Sequence, residues 1–106
     1  MRIIIVGCGK VGSTITEQLV KEGHDVAVID RDSDVIQDIT NNFDVMGVVG
    51  NGASYSIQKE AGIEDAHLLI AVTGSDEQNL LCCLFAKKAG NCNCLLYTSP
   101  SPRDCS

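Results

Sequence analysis

Apolar residues come in short blocks along this chain, and their period changes from block to block. Ile3, Ile4, Ile5 and Val6 are consecutive and β-branched, which predicts a strand over residues 2–6 covered on both faces. Residues 10–22 switch to a helical period, with Val11, Ile15 and Leu19 on one face. Gly23 suits the position that stops that helix. Residues 25–30 predict a second strand. Asp32 or Ser33 can cap a second helix with Val35, Ile36 and Ile39 as its inner face, ended by Asn41 and Asn42. A third strand is predicted over residues 43–49, a short helix over 54–61 stopped by Gly62, and a fourth strand over 66–73. Ser75 and Gln78 have capping-box spacing, with Asp76 and Glu77 favourable to the dipole in the first turn. The helix they open carries Leu80, Leu81, Leu84 and Phe85, then Lys87 and Lys88, and ends at Gly90.

Four β-α units in strict alternation predict an α/β fold, a doubly wound parallel sheet with right-handed crossovers and helices on both faces. A fifth strand should begin over residues 91–94. From Leu95 to Ser106 there is no period, and two Ser-Pro pairs mark coil. That stretch resembles a translated sequencing adaptor; the other reading is a natural flexible tail. The expected organisation is one domain fragment over 1–94, truncated at its C-terminus, followed by an unstructured tail over 95–106.

Composition narrows the function classes. The chain has 106 residues, 44% hydrophobic and 21% charged, enough for one small core. Its net charge of −6 shows no basic face for nucleic acid. Backbone N–H groups can still hold an anionic nucleotide. Neither a signal peptide nor a run of about 20 apolar residues is expected here, so the sequence points to the cytoplasm. There are six cysteines, but no C-x-x-C pair, and neither His24 nor His67 stands at ligand-like spacing from them. No metal site is expected, and the thiols read as reduced, mostly small buried groups.

The chemistry lies in Gly7-Cys8-Gly9-Lys10-Val11-Gly12. This G-x-G-x-x-G follows a strand and opens a helix, the context that a dinucleotide-binding βαβ unit needs. Gly7 permits the tight turn, Gly9 lets a pyrophosphate approach, and Gly12 lets helix and sheet pack closely. Cys8, Lys10 and Val11 would offer backbone N–H groups. The Cys8 thiol could act as a redox sensor at a helix N-terminus, or be only a small side chain beneath the phosphates. Asp30 lies 18 positions beyond Gly12, close to the spacing of the acid that accepts from the ribose hydroxyls. It would repel a 2′-phosphate, which Arg31 could partly offset, so NAD is favoured over NADP. The other reading of Asp30 is a strand-end acid helping to cap the second helix. Asn51 and Gly52 end the third strand, where an adenine could lie. Thr73 ends the fourth. No catalytic constellation is visible, so the chain reads as a binding module; the rival is the cofactor-binding half of an NAD-dependent oxidoreductase.

Five segments resemble the N-terminal nucleotide-binding domain of TrkA-like potassium-uptake regulators, the RCK or KTN domain. They are M-R-I-I-I-V-G-C-G-K-V-G at the start, E-G-H-D-V-A-V-I-D-R-D at 22–32, V-V-G-N-G-A-S at 48–54, A-G-I-E-D-A at 61–66 and L-L-I-A-V-T-G-S-D-E-Q-N-L-L at 68–81. The resemblance implies a Rossmann-like regulatory subunit, cytoplasmic and peripheral at the inner face of the membrane. It implies NAD(H) or ATP/ADP as ligand, a homo-oligomer when full length, and a membrane potassium transporter or channel as partner. By position, Gly7, Gly9 and Gly12 would hold the phosphates and Asp30 the adenosine ribose. Arg31 would lie near the adenosine or phosphates, Asn51 and Gly52 near the adenine, and Thr73 at the far end. The pattern departs from the family after about Asn93.

Overall fold

The structure, a computed structural model, describes residues 2–7, 9–73, 79, 81, 82, 84 and 93–96. The elements are β1 (Arg2–Val6), α1 (Lys10–Lys21), β2 (Asp25–Asp30), α2 (Ser33–Asn42), β3 (Met46–Val49), α3 (Tyr55–Glu60), a 3-10 turn (Ile63–Asp65), β4 (Leu68–Ala71) and β5 (Asn93–Leu96). Asn79, Leu81, Cys82 and Leu84 are helical. The five strands form one sheet in the order β3-β2-β1-β4-β5, and every pair is parallel. The chain winds outward from β1 in one direction, then returns past it in the other. The reversal between β1 and β4 creates a crevice at the C-terminal ends of the strands.

The continuous apolar runs of β1 and β2 follow from this burial on both faces. Ile4, Val6, Ala27, Ile29, Leu69 and Ala71 point to one core, which Ile57, Ala61, Ile63 and Cys82 complete. Ile3, Ile5, Val26, Val28 and Ile70 point to the other, against Ile15, Leu19 and Val20 of α1 and Ile36 and Ile39 of α2. Each fully buried Ile or Leu contributes about 1.5–3 kcal/mol.

The expected elements form, with shifted ends. Asp32 is the residue that caps α2, accepting from the Asp34 N–H at 3.0 Å. Strand β3 begins at Met46 rather than 43. The Phe43 N–H is taken by the Ile39 carbonyl at the end of α2, and Phe43 and Val45 pack into the α1/α2 core. Strand β4 is shorter than 66–73, because the 3-10 turn occupies the chain up to Ala66. The expected boundary at 94 needs correction. Leu95 and Leu96 are in β5, paired with Ile70 and Ala71. The open edge of β4 supplies a hydrogen-bonding ladder that a reading of local period could not anticipate. The capping box at 75–78, Leu80, Phe85, Lys87, Lys88, Gly90, Cys92 and the tail over 97–106 lie outside the described residues.

Candidate functional site

At the end of β1 the chain must turn between two neighbours. The Gly7 N–H donates to the Ile29 carbonyl at 2.8 Å on the β2 side. On the β4 side, a Cβ on Gly7 would stand 3.0 Å from the Val72 carbonyl and the Thr73 nitrogen. Gly7 also has φ +97°, a region that side chains other than glycine rarely adopt. Gly12 has a different task. A Cβ there would run into the Gly7 carbonyl, so its absence lets α1 press onto the turn. Gly9 is exposed, and a Cβ on it would meet no atom within 4 Å. Gly7 and Gly12 serve the fold, whereas Gly9 keeps open the space in front of α1.

That space suits an anion. Gly9 is the N-cap of α1 and has no side chain to cap it, and α1 carries no acid in its first turn. Helix α2 is the opposite case, capped by Asp32 with Asp34 in its first turn. Of these two helices, α1 is the one whose positive dipole end is left open to an anion. Lys10 and Val11 place their backbone in that first turn. Cys8 lies outside the described residues.

Asp30 ends β2 and takes the strand-end role read for it. Its Oδ1 accepts from the Asp32 N–H at 2.9 Å, which shapes the entry to α2. A carboxylate offers about four acceptor sites, so this bond does not exhaust what it can give a ribose. Its carbonyl accepts from the Gly50 N–H at 2.9 Å, bringing the β3 turn alongside. Arg31, the next residue, is exposed.

Asn51 is exposed, and its side-chain oxygen accepts from the Ala53 N–H at 2.9 Å. With the oxygen engaged in that turn, its NH2 is the group it can offer an adenine ring nitrogen. Gly52 is buried, and a Cβ there would run into the Val6 side chain. The Asn51–Gly52 turn thus rests on the last residue of β1, directly before the Gly7 turn.

Thr73 is half-buried beside Gly7. Its N–H and its Oγ1 both donate to Asn79 Oδ1, at 2.9 and 2.6 Å, and Asn79 Nδ2 donates back to the Thr73 carbonyl at 3.3 Å. Reasoning from sequence missed Asn79, which is only 2% exposed. The available signal was a polar residue amid the apolar positions of a core-facing helix. Asn79→Ala is expected to cost about 1.5 kcal/mol by stripping a buried turn of its partners, read as a lower urea midpoint at unchanged slope. A midpoint equal to the parent's would refute this bracing role.

The structure thus brings Gly7, Gly9, Gly12, Asp30, Asn51, Gly52 and Thr73 to one edge of the sheet. Among the described residues, no group of three His, Cys, Asp or Glu is placed to hold a metal ion. No helix among them is long and apolar enough to cross a membrane.

The family profile of the TrkA-N domain matches residues 3–98. A Trk system potassium uptake protein TrkA from Halomonas elongata is 42% identical over 86 residues, covering 81% of this chain and 19% of that protein. The chain therefore spans about a fifth of that relative's length. Among solved structures, the GsuK channel bound to NAD superposes with a TM-score of 0.79 at 19% identity, over 90% of this chain and 17% of that one. The Shewanella denitrificans Kef CTD in its AMP-bound form gives 0.77 at 20% identity, over 91% and 58%. At such identities the structural likeness establishes a shared fold.

Proposed function

The chain belongs to the TrkA-N domain family, and from that membership we propose that it is the adenine-nucleotide-binding regulatory domain of a potassium-uptake system. The observation that carries the binding claim is the open space at Gly9, before an uncapped helix N-terminus and two residues beyond the Gly7 turn that stands between Ile29 and Thr73. Backbone N–H groups of α1 would hold the pyrophosphate, Asp30 the adenosine ribose, and the Asn51–Gly52 turn the adenine. The relatives solved with NAD and with AMP support this ligand class. NAD(H) is the favoured ligand, because the Asp30 carboxylate disfavours a 2′-phosphate; ATP and ADP are the alternatives.

The same reading makes the domain a switch rather than an enzyme. It would lie in the cytoplasm, peripheral to the membrane, and assemble with copies of itself and with a potassium transporter or channel. Nucleotide biases two arrangements of the assembled domains. It can shift them only by its difference in affinity for the two.

Calorimetry with NAD, NADH, AMP, ADP and ATP tests the binding claim; absence of heat with all five from a folded chain removes it. Asp30→Ala should weaken NAD about tenfold, the loss of a charge-assisted hydrogen bond to the ribose. Equal affinity in parent and variant would return Asp30 to a capping role alone. For the transport claim, the complete gene should restore growth of an uptake-deficient strain at low potassium. Good expression without rescue counts against it.

A further inference from the structure

Gln58 is fully buried in α3, yet it is polar and lies outside the nucleotide edge. Its Nε2 donates to two carbonyls at once, Gly52 at 2.8 Å and Cys82 at 3.0 Å. Gly52 belongs to the adenine-side turn. Cys82 belongs to the helical segment that also carries Asn79, the residue holding Thr73. One side chain therefore joins two parts of the chain that border opposite ends of the cleft. Its Oε1 is buried and has no hydrogen-bond partner. A flipped carboxamide would turn that oxygen on two carbonyl oxygens, so the donors alone fix its orientation. An apolar residue of the same length would fill the space but would take this donor away from the Gly52 and Cys82 carbonyls. The amide is therefore kept for the two carbonyls it joins, at the cost of one unpaired oxygen, and not for packing.

We propose that Gln58 is a positioning residue that couples the adenine-side turn to the helical segment bracing Thr73. The inference rests on the nucleotide reading above. An adenine seated on the Asn51–Gly52 turn fixes the Gly52 carbonyl. The bridge carries that restraint to Cys82, and the helical segment carries it on to Asn79 and the far end of the cleft. The two ends of the site then respond as one unit, through a link buried beneath the sheet edge.

The test is hydrogen exchange of the 106-residue chain with and without AMP, in the parent and in Gln58→Met, which keeps length and volume but donates nothing. AMP reaches only the adenosine side. In the parent it should slow exchange over residues 50–53 and over 79–84, the latter by about 2- to 30-fold, the span expected for such coupling. In Gln58→Met the slowing over 50–53 should persist and that over 79–84 should fall to within about twofold of the AMP-free rate. Equal slowing over 79–84 in parent and variant overturns the proposal. So does loss at both segments together in a folded variant, which is what a purely structural role would give. If Gln58→Met does not fold, Gln58→Leu carries the same comparison. A parent that responds over 50–53 but not 79–84 overturns the coupling and leaves the nucleotide reading intact. A parent that responds nowhere overturns both.

Discussion

Gly12→Ala should unfold about 8–16 °C below the parent. Alanine is the better helix former by about 1 kcal/mol, so propensity alone predicts a gain. The added methyl, however, meets the Gly7 carbonyl, a backbone atom in a turn already fixed by its bond to Ile29. Overpacking typically costs about 1–3 kcal/mol, and a contact with backbone belongs at the top of that range or above. The net loss is about 2 kcal/mol. For a domain of this size each kcal/mol moves the midpoint by about 4–8 °C. A thermal melt followed by circular dichroism measures it. A midpoint within a couple of degrees of the parent would show that α1 can lift from the turn without penalty.

Gly9→Ala, three residues earlier, should do the reverse. Its Cβ enters empty space, and its φ of −69° is open to any residue. The melting midpoint should stay within a few degrees, as for surface changes of about 0.5 kcal/mol or less. NAD affinity should fall about 100-fold, because the methyl would occupy the place proposed for a pyrophosphate at the helix N-terminus. Losing two charge-assisted hydrogen bonds is worth about 3 kcal/mol or more. Calorimetry on the folded variant decides it, and unchanged affinity would place the phosphates elsewhere. The pair separates a glycine needed for folding from one needed for binding.

How far the sequence could be read depends on how local each signal is. The glycine turn between β1 and α1 was legible because glycine spacing, a strand before and a helical period after all lie within residues 2–22. The two-sided burial of β1 and β2 was legible from unbroken apolar runs. Strand β5 was harder, since its extent depends on the ladder that β4 offers it. Asn51 looked like a ready adenine ligand, but its oxygen is needed by the turn it sits in. Gln58 and Asn79 were missed for one reason. A buried amide is justified by its partners, and the Cys82 carbonyl is distant in sequence from Gln58. Periodicity assigns such residues a place on a helix but says nothing of what they hold.

The central position of β1 also governs the order in which the site can come into being. Ile3 pairs with Val26 on one side and with Leu68 on the other. As the chain leaves the ribosome, β1, α1 and β2 can associate early, and with them the Gly7 turn and Asp30. The wall made by Thr73 arrives only after β4 has crossed to the far side of β1. A nascent chain therefore has the β1–α1–β2 part of the candidate site before β4 completes it. During that interval the β4-facing edge of β1 stands unpaired, the kind of surface on which chaperones and misfolded partners compete.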